Sequence, residues 1–353
     1  MPAYKFSKLE MRAVEYLAKI PGVDDRLLAH YLHIRENEAK KIRRKLSKVL
    51  ESVVFPNYGL LGWELIFVAY STLPVKEIPS QGALDGCTHV YCSSEYFLAI
   101  GFAQNYSELV RIYEKLCLGL KVSQEHLKLV IFAHEFTEFL RFFDYQHAIS
   151  RITGNRDTGT SEQGSTRHKG LDILSRKILY QLVGNPAMDE NTLSKKLGTS
   201  LRVIKRKLSF LRTNGYCVHS VNVDLEMLGY TGLAFYHLEF SHKERMEEFL
   251  QDTQLPAIFV ISDGSNAFLL VPYTQPDEIF ETSVSISART YRRHAVSIVN
   301  YGYFQFSEMN KLRENEYLSV LGRNKNFMFG DVFESVIAKP EGRGNKTNTR
   351  NRR

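Results

Sequence analysis

From residue 197 to 212 the chain reads LGTSLRVIKRKLSFLR. Leu201, Ile204, Leu208 and Leu211 recur at i, i+3, i+7 and i+10, which lays one apolar stripe along a helix. Arg202, Lys205, Arg206, Ser209 and Arg212 fall on the other side. Gly198 and Ser200 supply a tight turn and an N-cap. Shorter periodic runs predict helices over 171–183 and 189–197. Three short helices, the last apolar inside and basic outside, predict a helix-turn-helix. After it, alternation over 216–223 predicts a small β-wing.

The same plan is written earlier in the chain. Ala39, Ile42, Leu46 and Val49 repeat the spacing of the second stripe, and IRRKLS at 42–47 parallels IKRKLS at 204–209. MRAVEYL (11–17) parallels RKILYQL (176–182), and LLGW (60–63) parallels MLGY (227–230). Four matches in one order predict an internal duplication. The first copy has HIRENE before Ala39 where the second has GTS, so its turn is expected to be longer and to lack the glycine. A wing is expected only in the second copy.

A β-rich unit follows each trihelical segment. In the second copy, strands are predicted at 232–240, 257–262, 267–273 and 295–306, with helices at 243–251 and 277–293. DGSN joins the middle strands as a turn. The first copy gives strands at 64–71, 88–93, 96–102 and 127–136, a broken helical segment at 74–84 and a helix at 106–118. The order is βαββαβ, a ferredoxin-like plan. The predicted class is α+β: two copies of a (winged) helix-turn-helix, each followed by a ferredoxin-like domain. Residues 138–152 and 308–320 are expected to be helical. The expected divisions are 1–58 and 59–152 for the first copy, a flexible linker at 153–169, and 170–226 and 227–308 for the second. An extension at 309–338 and a disordered basic tail at 339–353 complete the chain.

Composition adds a partner. Of 353 residues, 44% are hydrophobic and 12% aromatic, enough for packed cores. The net charge is +7, but it is concentrated. Lys195 to Arg212 holds seven cations (Lys195, Lys196, Arg202, Lys205, Arg206, Lys207, Arg212) and no acid. The stretch 33–48 holds seven cations against Glu36 and Glu38, and 339–353 holds six against Glu341. Everything else is net acidic. Positive charge confined to two helices and a tail points to a polyanion, and the helix-turn-helix makes it double-stranded DNA. The expected contacts are Arg202, Lys205, Arg206 and Ser209 at the groove, with Ser200 capping the helix and reaching a phosphate. Lys195, Lys196, Lys207 and Arg212 are expected on phosphates, joined by Lys40, Arg43 and Arg44 if the first copy docks.

Catalytic chemistry is sparse. No GxxxxGK[ST] or helix-opening GxGxxG appears, so no nucleotide loop is expected. His134, Glu135 and Glu138 follow a strand-like run that spreads them too far apart for one ion. The run 289–294, RTYRRH, ends a helix where cations suit the dipole. Cys87, Cys92, Cys117 and Cys217 show no zinc spacing and suit free thiols in a reducing cytoplasm. Neither a signal peptide nor a membrane span is expected. The reading is a cytoplasmic non-enzyme without cofactor or metal.

Residues 171–240 resemble the Lrp/AsnC family of transcriptional regulators. The resemblance rests on LD at 171–172, RKIL at 176–179, TLSKKLGTS at 192–200, IKRKLSFLRTNGY at 204–216 and LGY at 228–230. A tandem of two such units looks like the fused forms found in archaea. The resemblance implies a DNA-binding regulator in which ferredoxin-like units pair into a shared sheet. Each chain would be a pseudo-dimer, and further dimerisation would be open to it. A small effector, often an amino acid, would bind near the pairing interface. The family's Gly-x-Tyr-Asp-like loop corresponds to 263–267 here and to 93–97 in the first copy; neither keeps the acid after the aromatic. Two alternatives share the architecture. One is a sirohaem decarboxylase-like enzyme, although 88–92 (THVYC) and 258–262 (IFVIS) lack the expected His-Cys-Tyr-x-Arg run. The other is an adaptor that has lost operator specificity.

Overall fold

The computed structural model describes residues 6–71, 74, 79–153, 171–241, 246–289 and 296–323. The linker at 153–169 (but for its first residue), the tail from 339 and the arginine-rich run from 290 lie outside them. Helices α1 (Lys8–Lys19), α2 (Asp25–Leu32) and α3 (Glu36–Leu46) open the chain. A capping box starts α1: Glu10 N–H donates to Ser7 Oγ at 3.2 Å and Ser7 N–H donates to the Glu10 carboxylate at 2.8 Å. Strand β1 (Leu50–Pro56) follows. In the second half the same order returns as α6 (Ile173–Gly184), α7 (Glu190–Leu197), α8 (Leu201–Thr213) and β7 (Cys217–Val223).

Two expectations about the first unit need correction. It has a strand after its third helix, and β1 pairs antiparallel with β7 from Leu50 opposite Val223 to Pro56 opposite Cys217. Its inter-helix turn is also no longer than the second. Residues 33–35 connect α2 to α3, and 198–200 connect α7 to α8. The three extra residues add a turn to the start of α3. His33 at φ 55° takes the left-handed position that Gly198 holds at φ 60°.

Each half then supplies four strands to an antiparallel sheet. In the first these are β2 (Leu65–Ser71), β3 (Cys87–Cys92), β4 (Phe97–Ala103) and β5 (Leu127–Ala133), with α4 (Tyr106–Leu120). In the second they are β8 (Gly232–Phe240), β9 (Phe259–Ser262), β10 (Asn266–Tyr273) and β11 (Val296–Gln305), with α9 (Met246–Thr253) and α10 (Asp277–Arg289). A fifth strand comes from the opposite half. β6 (Phe139–Arg141) extends β9, and β12 (Asn310–Arg313) extends β3. The orders are β12-β3-β4-β2-β5 and β11-β8-β10-β9-β6. The helices expected at 138–152 and 308–320 are therefore each a short strand followed by a helix, α5 (Gln146–Thr153) and α11 (Tyr317–Leu321).

Strands β2 and β4 read as almost unbroken apolar runs because both faces are covered. Along β2, Leu65, Phe67 and Ala69 pack with α4, while Ile66, Val68 and Tyr70 face the other sheet. Across that seam, Tyr70 lies 5.4 Å from the Phe235 ring and 5.9 Å from Phe268, and its hydroxyl is 3.1 Å from His237 Nδ1. The two sheets thus share one core, continuous with both trihelical units.

Candidate nucleic-acid interface

Helix α7 is capped by Asp189, whose carboxylate accepts from Thr192 N–H at 2.8 Å, and it ends at Gly198. Ser200 caps α8 by accepting from Val203 N–H at 3.4 Å. Ile204, Leu208 and Leu211 are buried, and Leu201 is half-buried. Burying that stripe turns the opposite face outward. Ser200, Arg202, Lys205, Arg206, Ser209 and Arg212 are exposed along α8, and Lys195 and Lys196 at the end of α7. No carboxylate lies on α8.

The cations differ in how they are held. Lys205 Nζ meets Glu190 of α7 at 3.5 Å, both side chains well exposed, so this pair contributes little. Lys207 is only partly exposed and pairs with Asp172, the N-cap of α6. Burial pushes the Asp172 carboxyl up, but Lys207 and the Ser175 N–H outweigh it and hold it below the usual range. Arg212 Nη2 lies 3.3 Å from His219 Nε2 on β7. Burial, helped by the Arg212 charge, brings His219 down to about 4, so at neutral pH it is an acceptor for that guanidinium. Arg202, Arg206, Lys195 and Lys196 make no ion pair among the described residues.

The first unit also pairs the cations at the Lys205 and Lys207 positions, the first of them more tightly. Arg43, the counterpart of Lys205, donates Nε to Asp25 at 2.5 Å and Nη2 to Val23 O at 2.5 Å. Lys45, the counterpart of Lys207, meets the largely buried Glu10 at 2.5 Å. Lys40 and Arg44, the counterparts of Arg202 and Arg206, are exposed. The charge pattern along the chain assigns no partner to the acids Glu190, Asp172, Asp25 and Glu10. Their signal was local: three of the four open or cap a helix.

Elsewhere the picture is structural. His134 and Glu135 lie in a one-turn 3-10 helix (His134–Phe136). The His134 ring sits so close to Gly59 that a Cβ there would meet its Nε2 at 1.8 Å. Among the described residues no group of three or more metal-binding side chains converges. Gly264 has φ 86°, and the Asp263 carboxylate accepts from Ser265 and Asn266 N–H at 2.9 and 2.7 Å, so that loop is a closed turn. A cleft of about 400 Å³ opens beside Tyr230, Thr231, Tyr273, Gln305 and Phe306. All four cysteines are buried and free. No helix among the described residues is long and apolar enough to cross a membrane.

No family model and no curated protein matches the chain. Solved structures similar to part of it are Lrp/AsnC-type transcriptional regulators. The Mycobacterium tuberculosis leucine response regulatory protein LrpA is 15% identical, with a TM-score of 0.30, over 36% of this chain and 92% of that one. Escherichia coli AsnC is 18% identical, TM-score 0.29, over 38% and 91%. The Pyrococcus furiosus transcriptional regulatory protein PF0864, of the AsnC family, is 22% identical, TM-score 0.29, over 43% and 97%.

Proposed function

We propose that this chain is a DNA-binding transcription regulator of the Lrp/AsnC type, a tandem of two units acting as an intrachain pseudo-dimer. The observation that carries the reading is α8: an acid-free helix, anchored by three buried apolar residues, that exposes Arg202, Lys205, Arg206 and Ser209 on one face. Such a helix fits the major groove, where guanidinium groups read guanine edges. Lys195, Lys196, Arg212 and Ser200 flank it at phosphate reach. Lys207 contributes from behind, since Asp172 already holds it. The reciprocal exchange of β6 and β12 supports the pseudo-dimer. The cleft beside Tyr230 and Tyr273 is where a small effector would lodge.

The test is binding of the purified chain to the duplex upstream of its own coding sequence and to a scrambled duplex, across a salt series. Selective binding with a steep salt dependence is expected. Replacing Arg202 and Arg206 by Ala should weaken it ~100-fold, at roughly tenfold per lost base contact. Replacing Lys205 and Arg206 should cost less, because Lys205 already shares its charge with Glu190. Unchanged binding in the Arg202/Arg206 double variant overturns the assignment of this helix.

A further inference from the structure

We infer that each chain reads one DNA half-site, through α8 alone, while α3 stands off the duplex. This rests on the DNA-binding reading above.

The two helices differ at their N-termini. Their buried stripes superimpose in sequence, Ala39-Ile42-Leu46 on Leu201-Ile204-Leu208. Helix α8 begins at Leu201, the counterpart of Ala39, whereas α3 begins three residues earlier at Glu36. The added turn carries Glu36 and Glu38, both exposed. The Glu38 carboxylate accepts from Arg35 N–H at 3.2 Å, which fixes it at the helix start. In a helix-turn-helix, the N-terminal residues of the third helix approach the base edges. There α8 offers an acid-free turn whose dipole attracts phosphate. The same place on α3 presents two carboxylates, and one occupies a backbone N–H that would otherwise be available. The added turn also lengthens the helix toward the groove floor.

The second observation is independent of that turn. The phosphate grips beside α8 are not repeated at the corresponding positions beside α3. Lys195 and Lys196 correspond to His30 and Tyr31, and Arg212 corresponds to Leu50. Arg43 is turned inward onto Asp25 and Val23 O. Lys40, Lys41 and Arg44, with Arg35 and Lys48 at the two ends of α3, keep their charge, enough for long-range attraction, but they do not repeat the positions of the contacts beside α8. The pseudo-twofold body therefore carries an asymmetric reading head. Its recognition element is one major-groove segment; a symmetric operator would take two chains.

The experiment compares full-length variants on the same labelled upstream duplex, with thermal unfolding midpoints to verify folding. Arg202→Ala with Arg206→Ala should lose ~100-fold in affinity, and Lys40→Ala with Arg44→Ala should stay within about 2-fold. Hydroxyl-radical footprinting of the unaltered chain should protect one segment per bound chain, not two segments about one helical turn apart. Glu36→Gln with Glu38→Gln keeps the cap, since Gln also fills the capping box, and should tighten binding several-fold. An unchanged affinity there overturns the assignment of the exclusion to these carboxylates. A loss in the Lys40/Arg44 variant equal to that in the Arg202/Arg206 variant overturns the one-sided reading and leaves the regulator standing. Indifference of both pairs overturns the DNA reading itself.

Discussion

His33 stands at φ 55°, a left-handed conformation that costs an L-residue about 1 kcal/mol and costs glycine almost nothing. Its counterpart in the second unit is Gly198. His33→Gly should therefore raise stability by up to about 1 kcal/mol, and Gly198→Ala should lower it by a similar amount; urea unfolding of both variants reads the pair. His89 gives a second residue-scale test. It is 1% exposed, stacked 3.7 Å from Phe143, with Nδ1 3.1 Å from Thr88 Oγ1 and Nε2 3.3 Å from Asn315 Oδ1. Burial brings its pKa down to about 3, against Asn315, which favours the charged form. The unfolded chain takes up this proton near pH 6.5, and the folded chain refuses it until about 3. Its contribution is fully present above 6.5 and is lost as pH falls below that value, by at most about 1.4 kcal/mol per pH unit. His89→Phe keeps the ring stack and should make the fall in unfolding free energy between pH 6.5 and 4 shallower, leaving the slopes of His219 and His237, whose pKa burial also lowers. An unaltered slope would place the acid sensitivity elsewhere. Neither histidine could be placed from sequence: THVYC reads only as strand, and what desolvates His89 is Phe143 and the Tyr317 turn, far away along the chain.

At the scale of elements, α8 was legible because its information is local. A 3.6-residue stripe, a Ser N-cap and a preceding glycine all lie within sixteen residues. The β-units were legible for the same reason, strand by strand. What escaped was non-local. Strands β6 and β12 are three and four residues long, too short for alternation to register, and each exists because an edge of the opposite sheet accepts it. Strand β1 escaped because its partner is β7, more than a hundred and fifty residues on. Arg313 shows what the exchange of β12 is worth. It is 9% exposed, and it donates to Gln81 O at 3.0 Å, Cys87 O at 3.3 Å and Ser319 Oγ at 3.2 Å, with Asp85 at 3.7 Å. Removing it takes this donor from the buried Cys87 carbonyl and cuts the link from β12 to Gln81 and Asp85 of the first half. Arg313→Ala should destabilise the whole chain by about 2–4 kcal/mol. Arg313→Lys should recover little, because one ammonium cannot span the fork. A cost below about 0.5 kcal/mol in chemical denaturation would show that β12 is an ornament on the sheet edge.

For the whole molecule, the contacts that cross between the halves predict that covalent continuity is dispensable once they have folded. Three strand pairings cross from one half to the other: β1 with β7, β6 with β9, and β12 with β3. Side chains cross as well. Tyr58 Oη donates to Tyr317 O at 3.0 Å, Tyr145 Oη to Asn222 Oδ1 at 2.8 Å, and Tyr230 Oη to Ala148 O at 2.7 Å. The shared core runs through both sheets and both trihelical units, so separating the halves would expose apolar surface on the scale of an obligate interface. A protease site placed within 154–170 leaves all of these contacts on intact segments. After cleavage the two fragments should co-elute at the size of the uncut chain and unfold in one transition. That transition becomes concentration-dependent, because the tether's effective concentration, of millimolar order, is gone. On the proposed DNA-binding function, the cut chain should also bind DNA as the uncut chain does, since α8 and the strand β7 behind it are untouched. Two fragments that elute separately while remaining folded would mean that the halves are tethered neighbours. The pseudo-dimer would then fail, whatever α8 does on DNA.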